Sequence, residues 1–271
     1  LMAQRVPIEQ LERTETALSR LKNLVKTTPV ADKSRAEYMF RLAELYYQRA
    51  RYYEQHAFER QDQAFSLRET DPGRAGAYEQ AARDDLAHST QFASDAIQLY
   101  GDLYQQYRDT YPDIDAVLYY LGANLLQLDR RPEAREVFQT LSQTYPRSQY
   151  LAQAFFMIGE LDFTDGQMQS AREFYERVSQ FQDSTVYPYA LYKIAWCAYN
   201  TGSDEKSKQD AVQLLYNTID VATNRTGETY KRLRDDAVRD MALFYSDAYP
   251  ADAAFGFFEQ IAPDQVMNGV S

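Results

Sequence analysis

The sequence predicts an all-α fold: an α-solenoid of antiparallel helix pairs with one elongated, protruding αα-hairpin. Three observations carry it. First, residues 116–146 (AVLYYLGANLLQLDRRPEAREVFQTLSQTYP) align with 153–183 (QAFFMIGELDFTDGQMQSAREFYERVSQFQD). Gly122 pairs with Gly159 and Ala134 with Ala171, each 37 residues apart, and Phe138 pairs with Tyr175. Self-similarity at such a period marks a repeat architecture. Second, apolar residues recur at three- and four-residue spacing, the period of a helix that buries one face. Third, 10 Gly and 9 Pro in 271 residues, with few runs that alternate apolar and polar side chains, make an all-β sandwich a poor fit.

The elements follow in chain order. Ile8, Leu11, Leu18, Leu21 and Val25 mark an amphipathic helix that ends before Pro29. Residues 37–53 (EYMFRLAELYYQRARYY) read as the first helix of a pair, with Leu42 and Ala43 in its small-residue slot. The partner comes late: Ala96, Tyr100 and Leu103 have the right spacing, and Tyr111-Pro112 echoes Tyr145-Pro146. Between them the helical period holds, broken only at Asp71-Pro72-Gly73. Tyr46, Ala50, Tyr53, Ala57, Ala64 and Leu67 form the outgoing stripe, interrupted at Arg60; Tyr78, Ala82, Phe92, Ala96, Leu99 and Leu103 return. This predicts two helices of about 35 residues, each about 50 Å long at 1.5 Å per residue. Small Ala side chains near the tip pack closely but weakly, so the tip is expected to fray.

Beyond the hairpin, helix pairs are expected at about 113–147, 150–183, 187–224 and 229–263, giving an N-terminal part (1–112) and a repeat array (113–271). A small residue on each first helix (Gly122, Gly159, Ala195) lets the partner approach, and a second one (Ala134, Ala171, Ala211) serves the facing helix. The aromatic or Leu four residues later is expected to fill the space between neighbouring repeats. Pro146 stops its helix and disfavours helical geometry at Tyr145. The third pair has a longer turn over 201–210. In the fourth, Ala237, Met241 and Phe244 are apolar, and 251–261 reads as a short apolar helix. No polar-faced capping helix follows, so the chain is expected to be a fragment of something longer.

Composition removes several classes of function. With 40 acidic and 29 basic side chains the net charge is −11, which argues against a nucleic-acid footprint. One Cys excludes a disulfide within the chain and a Cys-based zinc site. No stretch approaches the roughly 20 apolar residues needed to cross a bilayer. The start, Leu1-Met2-Ala3-Gln4-Arg5, has neither a basic leader nor an apolar core, so it reads as mature sequence or a cut piece. The 23 Tyr outnumber Gly and Pro together.

The pattern resembles the tetratricopeptide repeat (TPR), a helix–turn–helix unit of 34 residues. Gly122, Ala134, Phe138 and Pro146 match four motif positions, and Leu118 stands where the family's Trp is usual. The resemblance covers 113–224 and is looser on both sides; the longer spacing and Asp162 at a core position depart from it. The tracts 189–200 (YALYKIAWCAYN) and 233–237 (LRDDA) resemble the large TPR proteins of myxobacterial-type cell envelopes, which are associated with gliding-motility and envelope-assembly complexes. That resemblance implies a periplasmic or outer-membrane-associated scaffold. A cytoplasmic adaptor or chaperone-type cofactor, the docking region of a larger enzyme, and self-association through the C-terminal face stay open as alternatives.

Chemistry-bearing residues are few. His56 and His88 lie on opposite arms of the hairpin near Glu54, Glu59, Asp84 and Asp85; they could ligate a metal, and exposed polar helix residues explain them as well. Cys197, within Ile194-Ala195-Trp196-Cys197-Ala198, has no His within twenty residues and reads as an inert buried thiol. Asp84-Asp85 and Asp235-Asp236 sit on solvated helix faces, which do not separate carboxyl pKa values as acid–base catalysis requires. Asn224-Arg225-Thr226 fits a glycosylation sequon by chance. With neither a Gly-rich phosphate loop nor a nucleophile elbow, the expectation is a protein without catalytic activity, cofactor or metal.

The resemblance implies that partner segments lie along the first helix of each repeat, in a concave groove. Its positions fall on Ala116, Tyr119, Ala123 and Leu126; Gln153, Phe156, Glu160 and Phe163; Tyr189, Tyr192, Trp196 and Tyr199; and, in the elongated copy, Glu37, Phe40, Glu44 and Tyr47. They are distinct from the core set Leu118, Leu121, Phe155, Ile158, Leu191 and Ile194. The groove is aromatic and mildly acidic, with no Lys or Arg at these positions, so it should prefer apolar or basic segments of other proteins. Packing between repeats explains the same aromatics, and the hairpin could cover part of the surface. If the face is a groove, replacing Tyr192 and Trp196 together with Ala should leave helicity and melting largely intact. The hairpin offers a second partner surface. Neither nucleic acid nor membrane insertion is expected of this segment.

Overall fold

The computed structural model describes the backbone of residues 8–261 and the side chains of 15–259 and 261. Among the described residues every regular element is helical. In order they are α1 (Ile8–Thr27), α2 (Ser34–Leu67), α3 (Pro72–Tyr107), α4 (Ile114–Gln127) and α5 (Arg131–Thr144). There follow α6 (Leu151–Thr164), α7 (Met168–Val178), α8 (Tyr187–Thr201), α9 (Glu205–Thr223) and α10 (Glu228–Ala248). A 3-10 turn, Ala251–Ala253, leads into α11 (Ala254–Ile261). Consecutive helices pack as antiparallel pairs. The chain divides into two compact units, 1–145 and 146–271, so α4–α5 is grouped with the hairpin.

In unit one the hairpin arms span 34 and 36 residues. The tip is made by residues suited to it. The Asp71 carboxylate accepts a bond from Arg74 N–H (3.1 Å) and caps α3, and Pro72 occupies its first turn, where no N–H is needed. The arms meet along Ala43, Ala50, Ala57 and Ala64 on α2 and Ala75, Ala82, Ala93 and Ala96 on α3, all nearly or fully buried. Side chains this small let the axes approach but bury little apolar area per residue. The interruption at Arg60 is a cross-arm link. Its guanidinium donates to the Ala81 carbonyl (3.1 Å) and pairs with the buried Asp85 carboxylate (3.1 Å).

In both units the small-residue slot has a definite occupant. A Cβ placed on Gly122 would lie 2.6 Å from the Phe138 ring, and one on Gly159 would lie 2.7 Å from the Tyr175 ring. The ring therefore sits first against the glycine of its own pair. Tyr175 also packs in one cluster with Ala190, Ile194 and Cys197 of α8, so a single ring fills the space within its pair and the space toward the next. Asp162, the polar departure at a core position, is buried and accepts a bond from Ser170 Oγ (2.6 Å), which fastens the α6–α7 turn. In α9, Asp204 caps the first turn by accepting from Ser207 N–H (2.8 Å). The core of the last pairs is built by Leu215, Ala237, Met241, Phe244 and Tyr245, with Phe257, Phe258 and Ile261 of α11 packed against it.

Candidate protein-binding surface

Of the positions expected to line a groove, Ala116 is buried and the others are half-buried, and the aromatic ones are tied to their neighbours within each unit. In unit one, the Phe40 ring lies 5.9 Å from Tyr100 and from Tyr111 and 6.1 Å from Tyr120; Tyr47 lies 5.9 Å from Tyr120. These rings seat α4 on the hairpin. Tyr119 packs against Tyr120 (5.3 Å) and Phe138 (6.3 Å), and Glu44 approaches Arg41 at 3.7 Å. Tyr111 O–H donates to Glu37 (3.0 Å), holding the hairpin's base closed.

In unit two the first helices α6, α8 and α10 lie side by side. Phe156 packs on Tyr175 (5.6 Å), whose hydroxyl donates to Glu160 Oε1 (2.5 Å). Burial and the Glu160 carboxylate push the Tyr175 hydroxyl far above its ordinary pKa, so it stays a donor. Lys193 of α8 pairs with Glu160 (3.0 Å), and its ammonium lies 4.4 Å from the Phe163 ring centre. Tyr189 lies 6.1 Å from Tyr230. On the other side of α8, Tyr192 O–H and Trp196 Nε1–H both donate to Asp240 Oδ2, the latter at 3.0 Å. Tyr199 O–H donates to Asp247 Oδ2 (2.6 Å), and its ring stacks on Phe244 at 3.9 Å and 3°. Trp196 meets the same Phe244 edge-on at 5.0 Å.

Sequence reasoning missed the α10 half of this surface. Asp236, Asp240, Leu243 and Asp247 follow four-three-four spacing and so share one helix face. Leu243 is 49% exposed between these carboxylates. The signal was present, but a search for apolar stripes selects the adjacent face of α10, about 100° around the helix, where Ala237, Met241 and Phe244 are buried. The expectation for Tyr192 and Trp196 is revised as well. They pack on the α9–α10 core cluster and bond to α10, so their joint replacement by Ala removes packing and two hydrogen bonds, and lowers melting.

The tyrosines give the fold an alkaline limit. Burial and neighbouring Tyr47 and Tyr120 push Tyr119 up to about 12, and burial with the Asp240 bond pushes Tyr192 up to about 12. An unfolded Tyr titrates near about 10. A folded pKa above the unfolded one means stability fully present below about pH 10 and lost as pH rises through about 12. Melting temperature should therefore hold to about pH 10 and fall steeply above it, with part of the phenolate absorbance appearing only as the fold is lost. A flat melting curve through that window would contradict this.

The remaining candidates are accounted for by packing. His56 packs at a tilt against Tyr52 (4.2 Å) and His88 against Tyr53 (5.0 Å). Among the described residues no group of three or more His, Cys, Asp or Glu side chains is placed to hold a metal ion. Cys197 is fully buried, and burial raises its thiol to about 11, the environment of an inert packing residue. Arg225, inside the sequon, donates to the carbonyls of Gln182 and Ser184 and lies over the Tyr230 ring. Among the described residues no helix is long and apolar enough to cross a membrane.

Comparison with known proteins agrees with this geometry. The family model of the tetratricopeptide repeat matches residues 116–148, the segment that forms α4 and α5. Among solved structures, the chain is similar to the nearly identical TPR-like repeats of a Podosopora anserina chain described as a kinesin light chain. The TM-score is 0.50 at 13% identity, over 79% of this chain and 96% of that one. At that identity the likeness speaks for the fold. No curated protein sequence matches the chain. Residues 116–148 thus match the tetratricopeptide repeat, and the described helices, packed pairwise, have an all-α, TPR-like solenoid fold.

Proposed function

We propose that the chain is a non-enzymatic scaffold that binds segments of other proteins on the first-helix face of unit two, between α8 and α10. Tetratricopeptide repeats mediate protein–protein interaction, which supports the general role. The observation that carries the specific reading is the strip formed by Tyr192, Trp196 and Tyr199 with Asp240 and Asp247, and the exposed Leu243 on the same α10 face. Each ring is held by a carboxylate, so little side-chain freedom remains to be lost on binding. The carboxylates give the strip negative charge, and a net charge of −11 steers basic partners toward it. The ligand class is a basic, apolar-anchored segment. Phe156, Glu160, Phe163 and Tyr189 extend the same type of surface along α6 and α8.

The setting we propose is a bacterial envelope or motility complex, with a periplasmic or outer-membrane-associated location. Support for it is the resemblance of 189–200 and 233–237 to envelope TPR proteins, and cell fractionation tests it. The binding reading is tested by capture from a source-cell extract, with wild type compared against Leu243→Ser combined with Asp247→Asn. Capture should fall about tenfold, as expected when a central anchor is removed.

A further inference from the structure

The two edges of α8 carry the same chemistry in different states of completion. On the α6 edge, Tyr175 O–H donates to Glu160 Oε1 (2.5 Å). The same carboxylate is neutralised by Lys193 of α8 (3.0 Å), whose ammonium also lies 4.4 Å from the Phe163 ring centre. Phe163 follows Glu160 by three residues and so shares its helix face. Hydroxyl, carboxylate, ammonium and apolar neighbour form one closed set, and its cation comes from an adjoining helix.

On the α10 edge the set is assembled except for its cation. Tyr192 O–H and Trp196 Nε1–H both donate to Asp240 Oδ2. Both donors are neutral, so they fix the half-buried carboxylate without cancelling its charge. The carboxylates around it have cations of their own: Arg234 for Asp235 (2.9 Å), Arg239 for Asp236 (3.0 Å) and Lys208 for Asp247 (4.0 Å). Among the described residues Asp240 forms no ion pair. Its Oδ1 accepts no hydrogen bond there and is not enclosed, so it opens to the surface. Leu243 follows Asp240 by three residues, as Phe163 follows Glu160, and is the exposed apolar neighbour.

We propose that Asp240 reads a lysine side chain of the bound segment, with the ammonium paired to Oδ1 and the methylene stem laid across Leu243. This rests on the α8–α10 face being a binding surface, and it assigns the charge selectivity of that face to one carboxylate. The partner's lysine completes the set on this edge as Lys193 completes it on the other. A lysine stem covers apolar surface while its head stays on the charge, which suits a Leu about 4.5 Å along the helix axis from the carboxylate. Two donors already occupy Oδ2, which leaves one oxygen for the partner. A compact ammonium uses that single oxygen fully, whereas a guanidinium gains most from two-point pairing.

The test titrates the protein with short synthetic peptides that carry one Leu beside one Lys on a Gly–Ser background, each with a twin whose Lys is Nε-acetylated. The peptides contain no Trp, so the emission of Trp196, the single Trp of the chain, reports the site. The charged peptide should bind about tenfold more tightly than its twin, the scale of one charge-assisted bond. Asp240→Asn should erase that difference without lowering the melting temperature, because the amide oxygen still accepts from Tyr192 and Trp196. An Asp240→Asn protein that keeps the preference would overturn the assignment, as would an Arg peptide that binds wild type about tenfold more tightly than the Lys peptide. The Leu243→Ser, Asp247→Asn protein separates the two readings. If it weakens both twins while Asp240→Asn leaves their ratio intact, the surface stands and the lysine assignment fails. If neither twin moves the emission of wild type, both fail.

Discussion

Gly122→Val is expected to destabilise unit one by about 3 kcal/mol, the upper range for overpacking a closed core site. The Phe138 ring already stands where the first added carbon would go, 2.6 Å from it. That ring is fully buried and cannot swing into solvent. A helical Gly normally costs up to about 1 kcal/mol relative to Ala, so the substitution also gains some propensity, but the clash outweighs it. Gly101 is the internal control. A Cβ there meets nothing within 4 Å, so Gly101→Ala should stabilise by up to about 1 kcal/mol. Denaturant unfolding of the two variants should move in opposite directions. If Gly122→Val unfolds at the wild-type midpoint, the close approach is not what closes the repeat.

Phe244→Ala should cost about 3–5 kcal/mol, the range for deleting a buried aromatic ring. Phe244 is fully buried, stacks on Tyr199 and receives the edge of Trp196, so its loss removes the shared support of two proposed binding residues. The chain has a single Trp, and its emission reports this site alone. The variant should show a lower unfolding midpoint and a red-shifted, more quenchable Trp196. Unchanged emission with a loss below about 1 kcal/mol would mean that α10 is not held to α8 through this ring.

Local chemistry made the hairpin legible. Asp71-Pro72-Gly73 is a break with a mechanism, and the helical period on both sides contains no other breaker residue. Arg60 stood out as an interruption, but its partner Asp85 lies 25 residues away on the other arm, beyond the reach of any local period. The candidate surface divides in the same way. Spacing placed Tyr192, Trp196 and Tyr199 on one face of α8. It did not reveal Asp240 and Asp247, which lie on the polar side of α10 and contribute nothing to an apolar stripe. Packing role and binding role therefore looked like alternatives in the sequence. In the structure one set of rings has carboxylate-bound edges and a buried support, which allows both. Phe138 shows a related limit: its spacing assigned it to the gap between repeats, whereas the glycine of its own pair determines where the ring rests.

That the α8–α10 face binds other proteins is tested most directly by measuring capture and melting on one preparation of the Leu243→Ser, Asp247→Asn protein. Leu243 is half-exposed and Asp247 lies at the surface, so melting should stay within a few degrees of wild type. Capture of partners should fall about tenfold at the same time. Wild-type capture by a protein that melts normally would contradict the assignment and leave these aromatics as packing between helices.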